Sequence, residues 1–145
     1  MLDTVFDVLH LVTVLAARRD VDAARIGVTG ISLGGMHAFW AAALDERIAC
    51  AAPMIGVQHW KWAVENNQWQ GRVDSLAALF AAATADLGEL SVTPKVVTEV
   101  WMRLLPGLLN GYDLPVLLPC VCPRPLLIAN GELDPRCPLG GVLEA

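Results

Sequence analysis

Apolar residues recur at helical spacing at the start of the chain. Leu2, Val5, Phe6, Leu9, Val12 and Ala16 share one side, and Asp3, Asp7, His10 and Arg18 the other. This period predicts an amphipathic helix over residues 3–19. Arg18 and Arg19 suit its last turn, where unpaired carbonyls favour positive charge. Asp20-Val21-Asp22 reads as a turn. From Ala24 to Gly30 the pattern changes to a short apolar run bounded by glycine, as expected of a strand buried in a parallel sheet. A second helix is expected from Leu33 to Leu44, and a second apolar run from Ile48 to Ile55 gives another strand. Strand, helix and strand within about thirty residues make a βαβ unit, whose crossover is right-handed.

The middle of the chain reads as three helices, 59–66, 75–87 and 94–108. Thr93-Pro94 is a helix start, with the hydroxyl as cap and the proline in the first turn. Leu114 to Pro125 is punctuated by prolines, and Arg124 to Gly131 reads as a further strand entering a loop. The order predicts an α/β fold: a parallel sheet flanked by helices, with a helical cap inserted over residues 57–111.

Composition narrows the class. Of the 145 residues, 55% are hydrophobic and 17% charged, against about 25% charged in an ordinary domain. Disorder needs the opposite balance. A net charge of −5 leaves no basic surface for nucleic acid. The longest uncharged stretch, Ile26 to Leu44, has the length to cross a bilayer core of about 30 Å. Its four glycines, with Ser32 and His37, divide it into strand, turn and helix, so no membrane span is expected. Met1-Leu2-Asp3-Thr4 carries acid where a signal peptide needs base, so a cytoplasmic location is expected. Cys50, Cys120, Cys122 and Cys137 lack the paired arms of a zinc site and read as reduced apolar filler, with no metal.

The candidate chemistry lies in Gly30-Ile31-Ser32-Leu33-Gly34-Gly35, where the first strand hands over to the second helix. This is the G-x-S-x-G pattern in its informative context. A turn tight enough to project the Ser32 hydroxyl favours glycine two residues to either side, at Gly30 and Gly34. The helix beginning at Leu33 points its free amides at the serine, and the Leu33 N–H is a candidate oxyanion donor. The plainer alternative is a serine that merely caps the helix.

The run from Asp22 through Ser32 to Met36, including Gly30, Gly34 and Gly35, resembles the α/β-hydrolase superfamily. The likeness is to the dienelactone hydrolase, acetyl xylan esterase and prolyl oligopeptidase-like branches. It covers residues 3–56 well and 124–138 more weakly. It implies the central part of an α/β-hydrolase fold, no cofactor, a small-molecule ester or peptide substrate, and a triad in the order serine, acid, histidine. Ser32 takes the nucleophile position. Asp134, on the loop after the last strand, is the candidate acid, with Glu132 its neighbour and competitor and an ordinary Asp-Pro turn the plain alternative.

The histidine is harder to place. The family has it after the acid, and no histidine follows Asp134 before Ala145. His10 lies on the first helix, His59 begins the cap, and His37 is five residues past Ser32, about 7.5 Å along the helix axis. None fills the role. The early strands and the second oxyanion donor would lie before Met1, so the chain is expected to be the middle of a hydrolase, inactive alone. Its exposed sheet edges are candidates for self-association, and a non-catalytic interaction module is the rival function. Trp60, Trp62 and Trp69 are candidates for core packing or for a substrate wall.

Overall fold

The computed structural model describes residues 2–145. The elements run α1 (Leu2–Ala16), β1 (Gly27–Ile31), α2 (Leu33–Leu44), β2 (Cys50–Met54), α3 (Trp60–Glu65), α4 (Gln70–Asp74), α5 (Ala77–Asp86), α6 (Pro94–Leu104), α7 (Leu108–Gly111), α8 (Leu114–Val121) and α9 (Leu139–Glu144). They form two compact units. One holds residues up to Val57 together with Leu117–Gly131, and the other Gln58–Val116 with Glu132–Ala145.

The first unit is built on the βαβ unit. β1 and β2 pair in parallel, Gly27 opposite Cys50 and Ile31 opposite Met54. α2 packs on both strands and on α1, burying Met36, Phe39, Trp40, Ala41 and Ala42. The expected third strand is present only as two parallel bridges, Ala51 with Leu126 and Met54 with Ala129. Pro53 accounts for the interruption. Ala51 exchanges bonds with the Pro125 carbonyl and the Leu127 N–H, each at 3.0 Å, and the Pro53 carbonyl accepts from Ala129 at 3.0 Å. The Pro53 nitrogen faces the same neighbour but has no hydrogen to donate, so one rung is missing.

Arg124 locks this unit from beneath. Its guanidinium donates to the carbonyls of Ala42, Asp45, Ile48, Cys120 and Val121 at 2.7–3.1 Å. The end of α2 and the entry to the third strand are thereby tied to one side chain. The opposite side of the sheet stays open, with Ile31 and Leu127 exposed.

α1 departs from expectation at its end and on its face. It stops at Ala16, and Arg18 pairs with Asp20 at 2.6 Å instead of serving the last turn. Its buried seam is Val5 and Val12, whereas Leu2 and Phe6 are exposed.

The second unit is helical. Thr93 caps α6 through its hydroxyl, which accepts from the Val96 N–H at 3.4 Å, with Pro94 in the first turn, as the sequence predicts. The helix expected to reach residue 108 stops at Leu104. Pro106 holds Leu105 in the extended region, and Gly107, at φ 86°, starts α7. The proline-punctuated stretch forms α8, with Asp113 bonded to its first amide at 2.8 Å. The unit's core centres on Trp101, which meets Trp60 and Phe80 edge-on at 4.8 and 5.3 Å between ring centroids.

Candidate active site

Ser32 stands between β1 and α2 with φ 56° and ψ −118°, a strained backbone for a residue with a side chain. Two bonds fix it there: its N–H donates to the Met54 carbonyl at 2.9 Å, and its carbonyl accepts from Met36 at 3.0 Å. The side chain is exposed and makes no capping bond to α2, so it is not spent on holding the helix. Leu33 opens α2 and is exposed. As first residue of the helix, its amide has no partner within it.

Close backbone contacts make this turn possible. A Cβ on Gly30 would run into the Gly34 carbonyl, and one on Gly35 would come within 2.5 Å of the Met54 carbonyl. Gly34 itself does not match the expected crowding, since a Cβ there meets nothing within 4 Å. Its carbonyl, not its Cα, makes the close approach, so the steric demand falls on Gly30 and Gly35. Gly56 carries the same demand from below: a Cβ there would strike the Ser32 carbonyl and the Met36 nitrogen. Ile55 beside it has φ 44°, uncommon for a β-branched residue. The sequence shows Gly56 only as the end of a strand, because nothing local marks a glycine that another segment needs.

Asp134 lies in the helical unit, half-buried, after the third-strand segment. Its Oδ1 accepts from the N–H groups of Arg136 at 2.8 Å and Cys137 at 3.3 Å. The loop then enters α9 through Pro138, while Glu132 is exposed. Of the cysteines only Cys137 is buried filler; Cys50, Cys120 and Cys122 are exposed. Burial pushes the Cys137 thiol up to about 11, against the pull of Arg72, whose Nη2 lies 3.2 Å from the sulfur.

The histidines occupy separate environments. His10 is exposed on α1. His37, within α2, has its Nε2 buried with no bond partner among the described residues, and burial lowers its pKa. His59 stands at the start of α3 without a side-chain capping bond, its Nε2 3.7 Å from Asp113 Oδ2 and its Nδ1 buried with no bond partner among the described residues. That distance is too long for a hydrogen bond. Asp113 is instead committed to backbone: Oδ1 accepts from Trp60 and Leu114, and Oδ2 from Lys61, all at 2.8 Å. An aspartate just before a Leu-Pro helix start was a readable cap signal.

Two of the three candidate tryptophans are packing residues. Trp60 is buried against Trp101. Trp62 lies against Gly140 and Gly141 and donates its Nε1–H to Glu144 at 2.7 Å. Trp69 is half-buried, its Nε1 without a bond partner among the described residues.

Comparison with known proteins places this geometry in a family. A Bacillus subtilis (strain 168) protein described as a hydrolase, YtaP, is 46% identical over 44 residues, 30% of this chain and 15% of YtaP. A glucuronoyl esterase from Solibacter usitatus superposes with a TM-score of 0.57 at 19% identity, covering 96% of this chain and 32% of its own. Acetyl xylan esterase 1 from Thermoanaerobacterium sp. JW/SL YS485 gives 0.50 at 20% identity, covering 95% of this chain and 40% of its own. The chain therefore spans well under half of each of these relatives, and its fold is that of the α/β-hydrolases. Residues 2–142 match the glucuronyl esterases of fungi, and the chain belongs to that family.

Proposed function

We propose that this chain carries the nucleophile and acid of a carboxylic-ester hydrolase. Ser32 attacks the ester carbonyl, the Leu33 N–H stabilises the oxyanion, and Asp134 orients the histidine that takes the serine proton. The observation that carries the reading is the Ser32 backbone at φ 56° and ψ −118° with its side chain exposed. Such a conformation persists only where surrounding structure imposes it, and here three glycines and the Met54 carbonyl do so. The family and the neighbouring esterases favour an ester attached to a sugar as substrate. Specificity is assigned to the helical unit, read as a cap.

His10, His37 and His59 do not serve as the base in this reading. His37 lies on the helix that follows Ser32, where burial disfavours the imidazolium that a base must become, and the carboxylate nearest His59 is already bonded to three amides. The base then comes from outside these 145 residues, and the chain alone does not turn over esters. Without a base, an oxyanion hole and binding leave about 10³–10⁴-fold over water, and one donor of the hole is unaccounted for.

Imidazole supplied in solution stands in for the missing base and tests the reading. With p-nitrophenyl acetate and imidazole, the expected result is an acetyl group on Ser32, located by peptide mass spectrometry and absent from Ser32→Ala. The absence of an acetyl group on Ser32, whatever background the exposed lysines take up, overturns Ser32 as the nucleophile. Time-dependent fluorophosphonate labelling of Ser32 without imidazole overturns the inactivity of the chain alone.

A further inference from the structure

The loop bearing Asp134 is held by a side chain with no part in the triad. Arg72, in α4, donates from Nε to Gln58 Oε1 at 3.1 Å and from Nη2 to the Arg136 carbonyl at 3.2 Å. The same Nη2 lies 3.2 Å from Cys137 Sγ, and the guanidinium carbon stands 5.3 Å from the centre of the Trp60 ring. Beside it, Gly71 presses on the loop so closely that a Cβ would strike the Pro135 carbonyl.

The Arg136 carbonyl and the Cys137 N–H belong to one planar peptide group, and in a trans peptide they point in opposite directions. Arg72 grips the carbonyl end. The N–H end donates to Asp134 Oδ1 at 3.3 Å, and the preceding N–H, of Arg136, donates to the same oxygen at 2.8 Å. Polarising the carbonyl strengthens the donor at the other end. We propose that Arg72 is the positioning residue of Asp134: through the Arg136–Cys137 peptide it fixes Oδ1 and leaves Oδ2 as the oxygen for an imidazole N–H. This rests on Asp134 being the triad acid. Arginine suits the task because its planar fork reaches Gln58 and the loop together, which one ammonium cannot do.

Nuclear magnetic resonance on the full chain tests the relay without any need for turnover. The Arg136 and Cys137 amide protons, as donors to a carboxylate, should lie downfield and exchange slowly with solvent. In Arg72→Gln, the Cys137 proton is expected to move upfield and its exchange to quicken about tenfold. Amides of Phe80 and Val97 in the same unit should keep their exchange rates. Arg72→Lys, which keeps the charge on a single donor nitrogen, should fall between the wild type and Arg72→Gln and serves if the glutamine variant does not fold. Unchanged Cys137 behaviour in both variants overturns the proposal, and so does equal quickening at Phe80 and Val97, which marks a general loss of stability. If the relay behaves as expected but Asp134→Asn leaves imidazole-supported acetylation of Ser32 unchanged, the triad reading fails and the relay stands.

Discussion

The Ser32 turn and the Asp134 loop are both sharp, polar and set next to a helix, yet different materials hold them. Around Ser32 the restraints are backbone on backbone: Gly30 against the Gly34 carbonyl, Gly35 against Met54, and Gly56 against Ser32 itself. Around Asp134 one such contact, Gly71 against the Pro135 carbonyl, is joined by side-chain bonds: Arg72 donates to the Arg136 carbonyl, and the Asp134 carboxylate accepts from two amides. A turn held by missing side chains tolerates almost no addition. A loop held by present ones loses its restraints one at a time.

The largest expected effect tests the first half of this contrast. Gly56→Ala introduces a methyl where the Ser32 carbonyl and the Met36 nitrogen already stand. Neither belongs to a flexible side chain, so the backbone must shift, and the variant should lose about 3 kcal/mol of stability in urea. Gly34→Ala is the control within the same motif. Its Cβ meets open space in a helix, so it should gain about 0.5–1 kcal/mol, as alanine normally does over glycine. If both variants lose stability alike, close approach at Gly56 is not what shapes the turn.

The same contrast explains what was legible in the sequence. Gly30-Ile31-Ser32-Leu33-Gly34-Gly35 is contiguous, so the strand, the turn and the helix could all be read from it. The steric part was misassigned at Gly34, because spacing alone does not show which glycine is approached by backbone. The third strand was legible as an apolar run, but not its missing rung, since Pro53 sits on the neighbouring strand. Asp134 could be nominated from its position after that run. Its restraint could not be, because Arg72 is 62 residues earlier in a short helix with no apolar periodicity to announce it. Residues that act across such separations become visible only when the chain is folded.

Asp113 extends the side-chain half of the comparison to the rest of the helical unit. It is almost fully buried, and its two oxygens take the amides of Trp60, Lys61 and Leu114. One carboxylate thus starts both α3 and α8. Asp113→Ala strands three donors and should cost about 2–3 kcal/mol, seen as a loss of the near-ultraviolet circular dichroism of the Trp60–Trp101 pair in less urea. Asp113→Asn keeps one acceptor oxygen and should cost about half as much. A neutral Asp113→Ala would show that water readily replaces these bonds and that the unit does not depend on them.

The effect that vanishes at neutral pH comes from Cys137, where the side-chain lattice around Asp134 meets the core. Burial holds its thiol neutral up to about pH 11, even though the neighbouring Arg72 favours the thiolate. In the unfolded chain the same thiol ionises near its ordinary value, about 8.5. Below that value both states keep the proton and stability does not depend on it. Between there and pH 11 the unfolded state releases the proton and the folded state does not, so stability falls as pH rises, by about 3 kcal/mol in all. Unfolding free energies measured at pH 8 and pH 10.5 should show most of that fall, and Cys137→Ser, whose hydroxyl does not ionise in this range, should remove it. A fall of equal size in Cys137→Ser would assign the alkaline loss to other groups. It would also mean that the folded state admits the Cys137 thiolate, with Arg72 rather than burial setting its charge.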